Sequence, residues 1–300
     1  MSNNTYALSV LSKHGKSFRF AGHFLSKEKL EQAARLYAFC RYIDDIADES
    51  VDKTQAYAEL CDIQTAVENE THYSDKVDDF VSLKKELNIN SVAPLQLIEG
   101  VKSDLSTVAF ANERELIRYC YRVAGVVGLM MCPILGANKK GYGNAINLGI
   151  AMQLTNISRD VMEDAQMGRR YLPATWCSTS AQDIVYNSKA TQQRVIRGIQ
   201  KALNLSEYYY ASGWKGLPFL PKSSRSAIAI AGSVYRQIGL ELANVEYCYW
   251  KGRVKTSSFK KLFIAGKTLT VGVSSSVEKQ TDMPTKMLHT NIFDLMPFEV

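Results

Sequence analysis

Two pairs of carboxylates stand at a spacing that matters chemically. In Arg41-Tyr42-Ile43-Asp44-Asp45-Ile46-Ala47-Asp48-Glu49, Asp44 and Asp48 are four residues apart. The same step recurs between Asp160 and Asp164 in Gln153-Leu154-Thr155-Asn156-Ile157-Ser158-Arg159-Asp160-Val161-Met162-Glu163-Asp164. On a helix such residues share one face, a turn apart. Two carboxylates there repel each other and weaken the helix. The arrangement calls for solvent, a cationic side chain or a metal ion. Hard oxygen donors suit Mg²⁺, which keeps several waters and takes carboxylates together with substrate phosphates; Mn²⁺ is the alternative ion.

An arginine accompanies each pair. Arg41 lies one turn before Asp44, and Arg159 adjoins Asp160. The planar guanidinium fork binds phosphate oxygens two at a time. Gln153, Asn156, Asp160 and Asp164 also form a polar stripe in a run otherwise built from Ala145, Ile146, Leu148, Ile150 and Met152. Such a stripe is poor core design unless it lines a wet or metal-filled cavity. The competing reading is two solvated helix faces that happen to carry acids. Recurrence of the pair, each time beside an arginine and inside an apolar helix, weighs against it.

The elements that must hold these residues read as helices. Leu30, Ala33, Ala34, Tyr37, Ala38 and Arg41 recur at steps of three and four, and no Gly or Pro interrupts Lys27 to Ser50. Similar patterning covers about 53–70, 76–88, 92–108, 112–132, 141–167, 189–211, 224–250 and 256–267, which predicts about ten helices. Strand-like alternation is scarce. Clear breaks fall at 168–180 and 213–221. No linker or shift in composition divides the chain, so one all-α domain is expected over 1–270. An irregular C-terminal tail is expected over 271–300, with a short docking segment at 292–298.

Composition sets the outer bounds. Of 300 residues, 46% are apolar and 22% charged, which excludes disorder, collagen and a coiled-coil rod. Lys and Arg number 36 against 30 Asp and Glu. This mild excess suits an anionic ligand or a negatively charged bilayer surface, but without a basic run it does not point to nucleic acid. The six cysteines include no CxxC, excluding a disulfide scaffold and a zinc finger. Reduced thiols and a cytoplasmic setting are expected. The first residues lack a leader pattern. The longest apolar run, Val123 to Ala137, falls short of the roughly 20 residues that span a bilayer. The basic segment 251–261 reads as plain surface or as peripheral contact with anionic lipid on the inner face of the membrane.

Other signals are weaker. Gly266-Lys267-Thr268 is no phosphate loop, because Lys261 occupies the first glycine position. Gly141 and Gly143 are followed by Ile146, so the dinucleotide fingerprint is missing. No acid stands three residues before a histidine, which disfavours a di-iron bundle. Gly125 and Gly128 serve close helix packing or leave room for a long ligand.

At the aspartate-bearing residues the sequence resembles the squalene/phytoene synthase family of head-to-head prenyl synthases. Leu36–Glu49 (LYAFCRYIDDIADE) and Gln153–Pro173 (QLTNISRDVMEDAQMGRRYLP) resemble its two aspartate-rich motifs. Tyr119–Met130 (YCYRVAGVVGLM) resembles the intervening helix, and His14–Ala21 (HGKSFRFA) the N-terminal segment. The similarity extends over most of 10–268. Met162 departs from the glycine that many members carry inside the second motif, without removing a ligand.

The resemblance implies an isoprenoid-synthase helical fold with a central cavity that takes two prenyl diphosphates with Mg²⁺. Asp44, Asp48, Asn156, Asp160 and Asp164 are the metal ligands it implies. Arg41, Arg159, Tyr171 and Arg253 would face diphosphate, joined by His14 and Ser17. Phe18, Tyr37 and Tyr119 would supply aromatic walls against a carbocation, and Gln153 would line the cavity. The wording of the first motif and of RRYLPATW looks most like the bacterial phytoene synthases in the family, which condense two geranylgeranyl diphosphates. The alternatives are a C30 synthase using farnesyl diphosphate and a non-catalytic relative that binds prenyl diphosphates. No apolar 20-mer or nucleotide motif accompanies the tail, so NADPH is not expected.

Overall fold

The computed structural model of the protein describes residues 3–273 and 285–298. Helical spacing of apolar residues gives α1 (Asn3–His14), α2 (Lys16–Gly22), α3 (Lys27–Glu49), α4 (Lys53–Asn69), α5 (Asp75–Glu86), α6 (Val92–Ser103) and α7 (Glu113–Cys120). A π-helical turn at Tyr121–Gly125 leads into α8 (Val126–Leu135). Then follow α9 (Tyr142–Arg159), α10 (Val161–Gln166), α11 (Ala181–Tyr186), α12 (Lys189–Lys215), α13 (Lys222–Asn244), α14 (Ser258–Val271) and α15 (Thr285–Leu288). Among the described residues no strand forms; Ala109 and Arg170 make an isolated bridge. All six cysteines are free thiols.

α3 carries the first aspartate pair. The Ser26 hydroxyl caps its start by accepting from the Lys29 amide, and the chain turns extended at Ser50. One face buries Leu36, Phe39, Ile43 and Ala47, and Phe39 stacks on Phe80 of α5 with ring centroids 3.9 Å apart. The inward face therefore fixes which way the acidic face points.

α9 carries the polar stripe and lies against α8, α12 and α13. Its backbone touches the segment before it. A Cβ on Gly128 would collide with the carbonyl of Ala145, and one on Gly149 with the carbonyl of Ala124. Close packing is thus the role of Gly128, which also borders the cavity described below. Gly125 faces Tyr121 and Ile146. Replacing Gly128 with Val must push α8 off α9; a loss of about 1–3 kcal/mol is expected, read as a lower urea midpoint at unchanged slope.

Several boundaries differ from expectation for physical reasons. α12 runs through Gly213 to Lys215 because that glycine lets α12 approach Leu148 of α9, rather than ending a helix. The stretch expected to be helical over 141–167 breaks at Asp160, which ends α9 and starts α10. Glu113–Leu135 is a helical run long and apolar enough to cross a bilayer, yet more than half of its most apolar window is buried inside the protein.

The C-terminal residues expected to be irregular include α15 and a 3₁₀ turn at Phe293–Leu295, while 274–284 and 299–300 lie outside the described residues. Docking reaches further back than 292–298. Ile292 is fully buried. Tyr209 donates to the Leu288 carbonyl at 3.0 Å, and Tyr121 to the Leu295 carbonyl at 3.0 Å. His289 Nε2 lies 2.8 Å from Asn147 Oδ1. Burial pushes this histidine down to about 4, so it is neutral at ordinary pH.

Candidate active site

The helices enclose a cavity of about 1220 Å³. Every candidate from the sequence borders it: His14, Ser17, Phe18, Tyr37, Arg41, Asp44, Asp48, Tyr119, Gln153, Asn156, Arg159, Asp160, Asp164, Tyr171 and Arg253. Much of the remaining wall is apolar, with Leu36, Val127, Met131, Leu148, Met152 and Ile228 among its residues. The same lining holds acidic and basic groups alongside these apolar side chains. That combination suits a ligand with an anionic head and a hydrocarbon tail.

On α3, burial and the neighbouring Asp48 push the Asp44 carboxyl up to about 8. Asp48 is a third exposed and accepts from Arg169 Nη1 at 2.6 Å. Arg41 reaches one turn forward along its helix to pair with Asp45, leaving its Nε buried without an acceptor. The sequence pairs Arg41 with diphosphate through position alone; the structure supplies a free donor for it.

The second pair flanks the helix break. Arg159 grips Asp160 with Nε to Oδ1 at 2.7 Å and Nη2 to Oδ2 at 2.5 Å. Arg253 grips the same carboxylate with Nε to Oδ1 and Nη2 to Oδ2, both at 2.8 Å. The turn survives the break, since the Asp164 amide still donates to the Asp160 carbonyl at 2.8 Å. Burial, with Asp160 nearby, raises the Asp164 carboxyl well above the usual range. One turn earlier, Asn156 donates to Gln153 at 3.4 Å, while its own Oδ1 is buried without a partner.

Sequence reasoning missed Asp104, just past α6. Its Oδ1 accepts from the Tyr171 hydroxyl and its Oδ2 from the Tyr119 hydroxyl, each at 2.8 Å. The two rings lie 4.8 Å apart. Burial pushes Asp104 up to about 6, outweighing the tyrosine donors and the nearby Arg169. Tyr171 therefore borders the cavity with its hydroxyl committed to Asp104, not free for a phosphate as expected. The two adjacent arginines also divide their work. Arg169 reaches the cavity and Asp48, whereas Arg170 Nη1 bonds the carbonyls of Phe110 and Leu172. Tyr235 was missed too; its ring centroid lies 4.9 Å from that of Phe18, which lies 6.1 Å from that of Tyr37.

The donor set fits magnesium. Carboxylates and one amide oxygen are hard ligands, and Asn156 Oδ1 is an orphaned buried acceptor. Asp44, Asp48, Asp160, Asp164 and Asn156 would hold the ions. Among the described residues no three acidic, His or Cys side chains converge to cage an ion unaided. The remaining positions would fall to water and substrate oxygens.

The acids also set a pH dependence. An aspartate in the unfolded chain titrates near 4. Between there and the folded values, about 6 for Asp104 and about 8 for Asp44, the folded protein binds more protons than the unfolded chain. Raising pH through that window weakens the fold. The metal-free protein should lose Tm from about pH 5 to about pH 8, and Asp44→Asn should flatten the upper part of that slope in a calorimetric series.

The comparisons with known proteins agree with this geometry. The sequence pattern of the squalene/phytoene synthase family matches residues 11–260. The 15-cis-phytoene synthase of Enterobacter agglomerans is 30% identical over 287 residues, covering 89% of this chain and 97% of the relative. The 4,4'-diapophytoene synthase of Staphylococcus haemolyticus is 30% identical over 268 residues, covering 86% and 93%. A crystal structure of a dehydrosqualene synthase in complex with ligand superposes with a TM-score of 0.81 at 27% identity, covering 90% of this chain and 96% of that one. The helices thus adopt the isoprenoid-synthase arrangement expected from the motifs. With its matched pattern, its full-length relatives and both aspartate pairs on one cavity, the chain belongs to the squalene/phytoene synthase family.

Proposed function

We propose that the protein joins two molecules of geranylgeranyl diphosphate head to head, through a cyclopropyl diphosphate, to give phytoene and two diphosphates. The family supports head-to-head prenyl condensation with prenyl diphosphates as substrates. The observation that carries the reading is one hollow lined by both aspartate pairs, several arginines and many apolar side chains.

Arg41, Arg159, Arg169 and Arg253 would hold diphosphate oxygens, with Arg159 and Arg253 turning from Asp160 to the ligand as it enters. Magnesium, when bound at the aspartates, would supply Lewis-acid neutralisation of the leaving diphosphates. One substrate loses diphosphate to give an allylic cation, and the double bond of the other attacks it. Proton loss closes the cyclopropane. A second loss of diphosphate, rearrangement and a second proton loss give the linear hydrocarbon. The faces of Phe18, Tyr37, Tyr119 and Tyr235 would stabilise the cations, and the apolar wall would keep out water that would capture them. This route needs no nicotinamide reductant.

Likeness to 15-cis-phytoene synthase over nearly its whole length supports the C20 substrate. Equal identity to a 4,4'-diapophytoene synthase favours the second reading, condensation of farnesyl diphosphate to a C30 product. Mass spectrometry of products formed with each substrate and Mg²⁺ tests both. A C40 hydrocarbon with two diphosphates released per product is expected. A C30 product alone would establish the second reading. Tight binding without diphosphate release would mark a non-catalytic relative.

A further inference from the structure

The last long helix is turned inside out. On α14, Phe259 is 82% exposed, Leu262 61%, Phe263 66% and Leu269 51%. Their spacing puts them on one helical face. The opposite face carries smaller groups. Ala265 is buried with Ala21, Ile230, Ala231 and Val234 of α2 and α13, and Ile264 packs beside it. Thr268 donates to Ser233 at 3.4 Å. The bulkiest apolar side chains of the helix therefore face outward.

The charge around this face is one-sided. Residues 247–273 contain Lys251, Arg253, Lys255, Lys260, Lys261 and Lys267 and no acid. The net charge of the whole chain is +6, so this stretch accounts for all of the excess. Lys260 meets Glu241 of α13 and Arg253 meets Asp160, so the free charge of this stretch is carried by Lys251, Lys255 and Lys267, which are exposed. Lys255, Ser258 and Lys261 border the cavity, which places the start of α14 at its rim.

We propose that α14 lays Phe259, Leu262, Phe263 and Leu269 into the surface of an anionic lipid bilayer, holding the cavity rim against the membrane. A helix with an aromatic and leucine face flanked by lysines binds such a surface by apolar burial together with attraction to acidic headgroups. A second copy of the chain is the poorer occupant, because pairing this face with itself would bring two concentrations of positive charge together. The inference goes beyond the condensation reading and holds for either substrate length.

Co-sedimentation of the full chain with lipid vesicles tests it. Binding is expected to phosphatidylcholine vesicles containing about one-third phosphatidylglycerol, not to phosphatidylcholine alone, with release as salt rises. The combined variant Phe259→Ser, Leu262→Ser, Phe263→Ser should lower the partition coefficient at least ~10-fold. Lys267→Glu should lower it at least ~5-fold. None of these four residues borders the cavity. Diphosphate release from detergent-dispersed substrate is the separate measure of the catalytic reading, and it should be unchanged in both variants. Wild-type protein that ignores anionic vesicles, or a serine variant that binds them as well as wild type, overturns the proposal. So does a doubled mass in light scattering that the serine variant halves while no vesicles are bound, which would assign the face to a second copy.

Discussion

Asp48→Asn and Asp160→Asn should each lower turnover at least ~100-fold, as expected when charge stabilisation of a leaving group is removed, while far-UV circular dichroism stays unchanged. Asparagine keeps the size and one carbonyl acceptor of the aspartate but removes the charge. At Asp48 the lost charge faces Arg169 at 2.6 Å. At Asp160 it faces Arg159 and Arg253 together. Two positions on different helices should therefore fail alike only if both serve one cluster of diphosphate and cations. The measurement is diphosphate release under saturating prenyl diphosphate and Mg²⁺. Near-normal turnover in both variants would remove the metal role from these residues.

Asp104→Ala should cost both stability and activity. The carboxylate is the shared acceptor of two tyrosine hydroxyls, and removing it deprives both of their carboxylate partner. A buried donor left without its acceptor costs about 1–3 kcal/mol, so the pair loses about 2–4 kcal/mol once the 3.2 Å contact between the two hydroxyls is kept. In a chain of this length that corresponds to a fall in Tm of roughly 3–6 °C. Turnover should drop at least ~10-fold, because Tyr119 and Tyr171 are cavity walls held in place by this acceptor. The double variant Tyr119→Phe, Tyr171→Phe removes the donors instead. If Asp104 acts by positioning the rings, adding Asp104→Asn to that background should change turnover little. A full additional loss would show that Asp104 does something other than hold them.

The reach of the sequence follows from range. Asp44 with Asp48, and Asp160 with Asp164, are legible because a helix converts a four-residue step into a shared face, and Asn156 with Gln153 extends that face by the same rule. The helices themselves are legible for the same reason. Asp104 is not. It is a lone acid beyond a helix end, and its partners Tyr119 and Tyr171 lie 15 and 67 residues away. No local pattern encodes such a meeting. The break at Asp160 is hidden as well, since no Gly or Pro marks it. The division between Arg169 and Arg170 is set by which way the chain turns after α10. Gly213 reads as a stop and is a contact, because the same missing Cβ serves a turn and a close approach equally. The C-terminal docking residues lack periodicity, and their partners Asn147, Tyr209 and Tyr121 are far upstream.

Those docking residues clamp three stretches of the fold at once. His289 closes against Asn147 on the helix that bears the polar stripe, and Leu288 and Leu295 take up the hydroxyls of Tyr209 and Tyr121. Asn147 lies on α9, Tyr209 on α12 and Tyr121 in the turn before α8, and none of the three borders the cavity. The segment 288–295 therefore stiffens the scaffold from outside the cavity, and it reaches the polar stripe only through the rigidity of α9.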